Sequence, residues 1–342
     1  MNRSPTHAGS HTPRKLRTVE NKIAWDPAAY AANSSSQQAW ARELIARLKL
    51  RGDERILDVG CGDGKVSAEL ARAVPRGSAT GVDASPQMIE FAQKTFPPAE
   101  ISNLKFQVMD AREIQPARFE VRGVVLTPSP PPKELRAKPR WKISSDQAGV
   151  RRPLGSSSNP LTPTLSPLGR GEGENSQEFD LVFSNAALHW VDDHPAFLRG
   201  AAACLCSGGR LVVSCGGRGN AQEVFAVLRA EMRLKRWREF FRKMEASYFF
   251  HAPEDYEKWL PRFGFRTRSV RLADKDMVLE EPEEFAGWLR TTWLPYTQRV
   301  PENLRGEFIA AVVERYVARH PLDDKNRVHV RMVRLEIDAE KT

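Results

Sequence analysis

The chain has 342 residues, 41% of them apolar, which suffices to fill the core of one large domain or of two. No run of about 18 apolar residues occurs, and the opening MNRSPTHAGSHTPRKLR has no apolar stretch of secretory type, so a cytoplasmic protein without a membrane span is expected. The net charge of +9 resides in residues 1–22 (+4) and 117–177 (+5), leaving the remainder neutral, which weighs against a nucleic-acid partner held on a basic face.

Residues 1–22 are polar, basic and aperiodic, and read as a flexible extension. From Gln37 to Leu50 the residues Trp40, Leu44, Ile45 and Leu48 share one helical face. Gly52 and Asp53 then turn the chain into RILDVG, a short apolar run of buried-parallel-strand type. A helix is expected over Val66 to Val74, then a strand in SATGVDAS, then a helix from Pro86 to Thr95 with Ser85 as its N-cap. A third strand, NLKFQVMDA, completes β-α-β-α-β, the order of a doubly wound parallel sheet.

Between 117 and 177 nine prolines accumulate without helical or strand period, far beyond the usual connection of about 4 to 6 residues. This stretch reads as a disordered, proline-rich insertion, a passenger more than a docking arm. Regular structure resumes with the strand and loop FDLVFSNAALHW, a helix from Pro195 to Cys204, and the strand GRLVVSCGG. Residues 221–245 are expected to be a charged helix, and another ends at Gly264. Two late alternating strands, TRSVRLADKDMVL and VHVRMVRLEIDAE, flank a helical excursion that is expected to lie as a lid over the ligand end of the sheet. The domains so drawn are 1–22, a core of 23–116 with 178–281, the insertion 117–177, the lid 282–321 and the closing strand 322–342. The cysteines Cys61, Cys204, Cys206 and Cys215 form no CxxC pair, so buried thiols and no metal site are expected.

RILDVGCGDGK places three glycines at alternate positions directly after the first strand. A dinucleotide fingerprint, GxGxxG, fails in both registers, because its sixth position is Lys65 or Ser67. Gly60 and Gly62 allow positive φ and close approach of a ligand to the backbone. Asp83 closes the second strand, where an acid can accept from both hydroxyls of a ribose, and Asp110 closes the third, where one can take an adenine amino group. Together with Asp58, which can orient an amino group, these carboxylates suit a nucleoside without phosphate and welcome a sulfonium cation.

These motifs resemble those of class I S-adenosylmethionine-dependent methyltransferases, more narrowly the trans-aconitate 2-methyltransferase-like group. WDPAAYAANSSSQQAWA resembles that group's N-terminal segment, ILDVGCGDGK its glycine loop, GVDASPQMIEFA its ribose site, QVMDARE its adenine site and FSNAALHWVDDHPAFL its fourth strand and loop. The resemblance covers nearly everything outside the two basic segments and departs from the group at the insertion. It implies a mostly parallel, seven-stranded Rossmann-like sheet binding S-adenosyl-L-methionine. It further implies Gly60, Cys61 and Gly62 against the methionine part, Asp83 and Ala84 on the ribose, Asp110 and Ala111 on the adenine, and Asn185 near the sulfonium. Tyr30 and Gln37 are then expected to close over the cofactor.

The acceptor is expected to be a small molecule. No D/N-P-P-Y follows the fourth strand and no cysteine is placed for pyrimidine chemistry, which argues against nucleic acid. A carboxylate acceptor, as the resemblance suggests, is ionised at pH 7 and needs no base. The alternative is a hydroxyl, phenol or amine, with His189 as general base. In the lid, Arg290 is a candidate to hold a substrate carboxylate, with Trp190, Trp288, Trp293 and Tyr296 as pocket wall. A further alternative is a cofactor-binding protein inactivated by the insertion.

Overall fold

The computed structural model describes residues 23–119 and 179–342. The proposed flexible extension and nearly all of the expected insertion lie outside the described residues. Two helices lead in: α1 (Pro27–Ala32), capped by the Asp26 carboxylate accepting from Ala29 N at 3.0 Å, and α2 (Ser35–Leu48), which buries Trp40, Leu44 and Leu48. Then come β1 (Arg55–Val59), α3 (Lys65–Ala73), β2 (Ser78–Asp83), α4 (Pro86–Thr95) and β3 (Leu104–Val108). Ser85 caps α4 as its sequence promised, its Oγ accepting from Met88 N at 3.3 Å.

After β3 the chain makes 3-10 turns at Ala111–Glu113 and Pro116–Arg118, so ordered backbone runs past residue 117, where the insertion was expected to begin. Gln107 Nε2 holds the second turn by donating to Arg118 O at 2.9 Å. The second half comprises β4 (Phe179–Asn185), α5 (His194–Cys204), β5 (Leu205–Gly216), α6 (Gln222–Met232), α7 (Pro253–Trp259), β6 (Phe265–Leu279), α8 (Pro282–Thr292), α9 (Leu294–Thr297), α10 (Glu302–Arg319) and β7 (Val328–Lys341).

The seven strands form one sheet in the order β3-β2-β1-β4-β5-β7-β6. β1 to β5 are parallel; β7 runs antiparallel to both β5 and β6. The chain builds outward from β1 to β3 and returns to place β4 on the other side of β1, so the order reverses between β1 and β4. Such a switch point opens a crevice beyond the carboxyl ends of the strands. β1 is central and is buried from Ile56 to Val59, which is why its sequence is a continuous apolar run broken only by Asp58.

One core cluster joins β1, α2, α3 and β4 through Leu44, Ile56, Leu70 and Phe183; another lies under the late helices. The charged stretch 221–245 is helical only over Gln222–Met232, a correction to the single helix expected there. The chain leaves the helical path because Trp237 and Phe241 both turn inward to pack on Phe308 of α10, at 5.3 Å each between ring centroids. Apolar anchors four apart, interrupted by arginines that must reach solvent, are here satisfied by a short 3-10 turn, Arg238–Phe241, rather than by continuing α6. Among the described residues no helix is long and apolar enough to cross a membrane, and no group of three or more acid, histidine or cysteine side chains is placed to hold a metal. Cys206 is half-buried and the other three cysteines are buried.

Candidate functional site

The turn after β1 is held by paired hydrogen bonds: Gly60 N and Cys61 N both donate to Val82 O, at 2.8 and 3.0 Å. Gly60 has φ +77°, and a Cβ there would stand 2.1 Å from Ala187 Cβ in the loop after β4. Gly62 has φ +54°, and a Cβ there would meet only the Tyr30 ring, at an ordinary contact of 3.8 Å. The first glycine lets two loops meet; the second leaves a cradle between the turn and α1.

That cradle belongs to a cleft lined by Tyr30, Gln37, Asp58, Gly60, Gly62 and Asn185, with Cys61 and Asp63 among its other walls. Seven of the sequence-predicted cofactor residues therefore meet in one place. Asp83 stands beside it, its Oδ2 accepting from Gly62 N at 3.0 Å and its Oδ1 from Ser85 N at 2.8 Å. Burial pushes the Asp83 carboxyl up, against the pull of those two backbone donors. Ala84, Asp110 and Ala111 follow at the ends of β2 and β3, outside the cleft walls. Asp110 is engaged by Arg112, whose Nε and Nη2 donate at 3.0 and 2.7 Å while Nη1 reaches Asp192 at 2.9 Å. An adenine amino group at Asp110 would share its carboxylate with this clamp.

The cleft is electronegative. Asp58 and Asp63 are buried in it, and its lysine, Lys65, is tied to Asp63 at 3.3 Å and to Ala31 O at 2.5 Å. Asp58 accepts from Ser67 Oγ at 2.6 Å, yet burial raises its carboxyl to about 7. A folded-state value above the unfolded value near 4 means the folded protein binds the extra proton, so this contribution to stability is complete below pH ~4 and is lost as pH rises through 7. The thermal midpoint of the ligand-free protein should therefore fall more steeply between pH 5 and 8 than that of Asp58→Asn, with about 3 kcal/mol lost over that window, nearly all of it below pH 7. Parallel melting curves for the two proteins over that range would sink this assignment.

A second cavity opens next to the first and shares Tyr30, Gln37 and Ala186 with it. His189, Trp190, Trp288 and Trp293 line it, as placed from sequence. Arg290 and Tyr296 do not. Arg290 is exposed and pairs with Glu283 at 3.4 Å, because two residues along α8 from Trp288 is about 200° of rotation, which turns it away from the face bearing Trp288 and Thr292. Tyr296 stands one layer behind the wall, parallel to Tyr248 at 6.2 Å. Gln298 fastens the N-terminal segment over the site, exchanging hydrogen bonds of 3.1 and 2.6 Å with the backbone of Ala24.

The cation in the second cavity is Arg334, on β7, which sequence reasoning missed. It is 2% exposed, donates from Nε to Ser214 Oγ at 3.3 Å and from Nη2 to Ser214 O at 2.6 Å and Asn185 Oδ1 at 3.4 Å, and stands 5.1 Å from the Trp40 ring centroid. No carboxylate among the described residues lies within ion-pairing distance, and Nη1 makes no hydrogen bond to them. A signal was present: Arg334 continues the buried register of Val328, Val330 and Met332, where a charge is out of place. Trp25, Trp40, Tyr248 and Phe250 were missed as well; the last two follow the charged stretch as the aromatic run Tyr248-Phe249-Phe250.

The accepting nitrogen of His189, the candidate base, is already engaged. Its Nδ1 accepts from Gly216 N at 3.3 Å, so the neutral ring carries its proton on Nε2. Burial, and next the charge of Arg334, push it down to about 3. The behaviour expected of the alternative acceptor chemistry is therefore not what this ring offers; it presents a donor.

A methyltransferase-domain family model matches residues 33–270. An uncharacterized methyltransferase of Schizosaccharomyces pombe is 25% identical over 272 residues, covering 78% of this chain and 79% of its own. Trans-aconitate 2-methyltransferase of Variovorax paradoxus is 23% identical over 326 residues, covering 93% of this chain and 98% of its own. Among solved structures, the YcgJ protein of Bacillus subtilis covers 89% of this chain and 98% of its own at a TM-score of 0.48 and 14% identity.

Proposed function

The chain belongs to the methyltransferase-domain family, and from that premise we propose that it moves the methyl group of S-adenosylmethionine to a carboxylate oxygen of a small acid. The observation that carries the acceptor is Arg334, a buried guanidinium with no carboxylate partner among the described residues, at the border of the two cavities. A desolvated cation of this kind is costly unless an anion completes it.

The cleft fits a cationic nucleoside. Its buried Asp58 and Asp63 and its engaged Lys65 would repel a diphosphate, and the open cradle at Gly62 admits a ligand against the backbone. When bound, S-adenosylmethionine supplies a methyl on a sulfonium, and its passage to a carboxylate turns one cation and one anion into two neutral products with no proton displaced. Asp58 and Asp63 favour the cation, Arg334 orients the anion, and Tyr30, Gln37 and Ala186 form the junction between them. The tryptophans and Gln298 contact keep water from that junction, which strengthens both electrostatic terms.

The product identifies the chemistry. With cofactor labelled in the methyl, label transferred to a carboxylate is an ester and is released as volatile methanol by mild alkali; ethers and methylamines keep it. Alkali-stable label would defeat the carboxylate reading. The role of His189 has its own check. With cofactor and acid both saturating, so that the bound cation keeps Asp58 ionised, the rate is expected to be flat from pH 6 to 8, and His189→Gln to cost less than about tenfold, the worth of one neutral hydrogen bond. A loss of about 10²-fold or more, with a rate rising through pH 6.5 in the parent protein, belongs to a general base.

A further inference from the structure

The composition of the acceptor cavity says more than that an anion enters it. Eight of its lining side chains are aromatic, and among the described lining residues Arg334 is the one that carries charge. The rings are organised: Tyr248 and Phe250 lie parallel, 3° apart in plane at 5.7 Å, and Trp190 closes on Tyr248 at 4.7 Å and on Trp25 at 5.2 Å. The ring of His189 stacks on Phe250 at 6.1 Å. On the side of β4 and β5, and over the Trp40 ring, Arg334 is fixed by Ser214 and Asn185, its Nη1 making no hydrogen bond to the described residues. Trp288, 4% exposed, adds an indole N–H without a hydrogen-bond partner. The cavity thus combines a single charge with a largely aromatic lining.

A polycarboxylate is poorly matched to it. One carboxylate can be answered by Arg334 and the His189 Nε2–H, but a second or third would be desolvated against rings with no counter-charge among the described residues. Flat conjugated groups are what parallel and edge-on rings bind best, through offset stacking and edge contacts.

Resting on the carboxylate reading above, we propose that the acceptor is a monocarboxylic acid with a flat aromatic or conjugated body, its carboxylate on Arg334 and its body against Trp190, Tyr248 and Phe250. The transfer forms one O–CH3 bond and breaks one C–S bond, the electron pair returning to sulfur; neither an oxidant nor a proton acceptor is required.

Three acids separate the terms: cinnamate, with one carboxylate on a flat body; hexanoate, with one carboxylate on a flexible chain; and trans-aconitate, with three carboxylates and no ring. In methyl transfer by the full-length protein, kcat/KM for cinnamate should exceed that for each of the others by at least tenfold. Trp190→Ala should bring the cinnamate-to-hexanoate ratio towards one, a change in selectivity that general loss of folding does not produce. Binding in the presence of S-adenosylhomocysteine, followed by calorimetry, should rank the acids in the same order even where turnover is slow. Preference for trans-aconitate, with an ester formed, would overturn the single-carboxylate assignment while leaving ester formation intact. Equal use or equal binding of cinnamate and hexanoate would overturn the flat body. Methylation of phenols or amines and of no acid would instead remove the carboxylate reading itself.

Discussion

Arg334→Met should lower kcat/KM for the acid by about 30- to 1,000-fold while leaving the affinity for S-adenosylhomocysteine within a few-fold of the parent. The magnitude is that of truncating one partner of a buried, hydrogen-bonded charge pair, about 2 to 4 kcal/mol, much of it the cost of leaving the substrate anion unanswered. The direction of any stability change is equally informative. In the ligand-free protein the guanidinium is buried, held by Ser214 and Asn185 without a counter-ion, and burial lowers its pKa. Removing such a charge relieves desolvation, and methionine fills the same elongated space over Trp40, so the variant should melt no lower than the parent. Lysine retains the charge but not the fork that grips Ser214 and Asn185, and Arg334→Lys should recover only part of the activity. A methionine variant with parental kcat/KM would remove the main support for an anionic acceptor; one that melts well below the parent would mark Arg334 as a structural residue.

Gly60→Ala is expected to damage the cofactor cleft and the fold together. The alanine methyl would lie 2.1 Å from Ala187 Cβ, inside any attainable contact, and the φ of +77° is itself unfavourable for a residue with a side chain. The left-handed conformation costs about 1–2 kcal/mol and overpacking typically another 1–3 kcal/mol. The Ala187 loop cannot simply retreat, because Trp190 N donates to Ala187 O at 3.0 Å and Ala186 N to Ser214 O at 2.8 Å. Relief must come at the turn, where Gly60 N and Cys61 N share Val82 O. Binding of S-adenosylhomocysteine should weaken at least tenfold, with a clear fall in thermal midpoint. Gly62→Ala gives the contrast: it carries the same left-handed backbone cost at φ +54°, but its methyl meets only the Tyr30 ring, at an ordinary contact of 3.8 Å, so it should lower the thermal midpoint less than Gly60→Ala while still weakening binding. If Gly60→Ala binds and melts like the parent, the close approach of the two loops is not a constraint on the site.

The cleft was legible because its parts are contiguous and largely backbone. RILDVGCG is strand, turn and helix start in one segment, and the aspartates that follow strands sit at strand ends whatever else the chain does. Even there, Asp110 was read as free for a ligand, whereas Arg112, two residues on, grips it with a second arm on Asp192. The lid arginine was misplaced for a different reason. Arg290 and Trp288 sit close in sequence, but a helix turns them to opposite sides, and only packing decides which side faces inward.

By itself, the sequence determined the alternation of strands and helices, the doubly wound sheet, and the glycine turn with aspartates at the ends of successive strands. These follow from local pattern and from the chirality of parallel crossovers, which leave few ways to join the elements. Tertiary structure alone decided the acceptor cavity. Its walls come from the N-terminal segment, the loops after β4 and before α7, helix α8 and strand β7, with Trp25 and Arg334 more than 300 residues apart. Such a surface is set by which side chains are left facing one another once two cores have packed. It therefore appears in the sequence only as an arginine in a position where the strand pattern calls for an apolar residue.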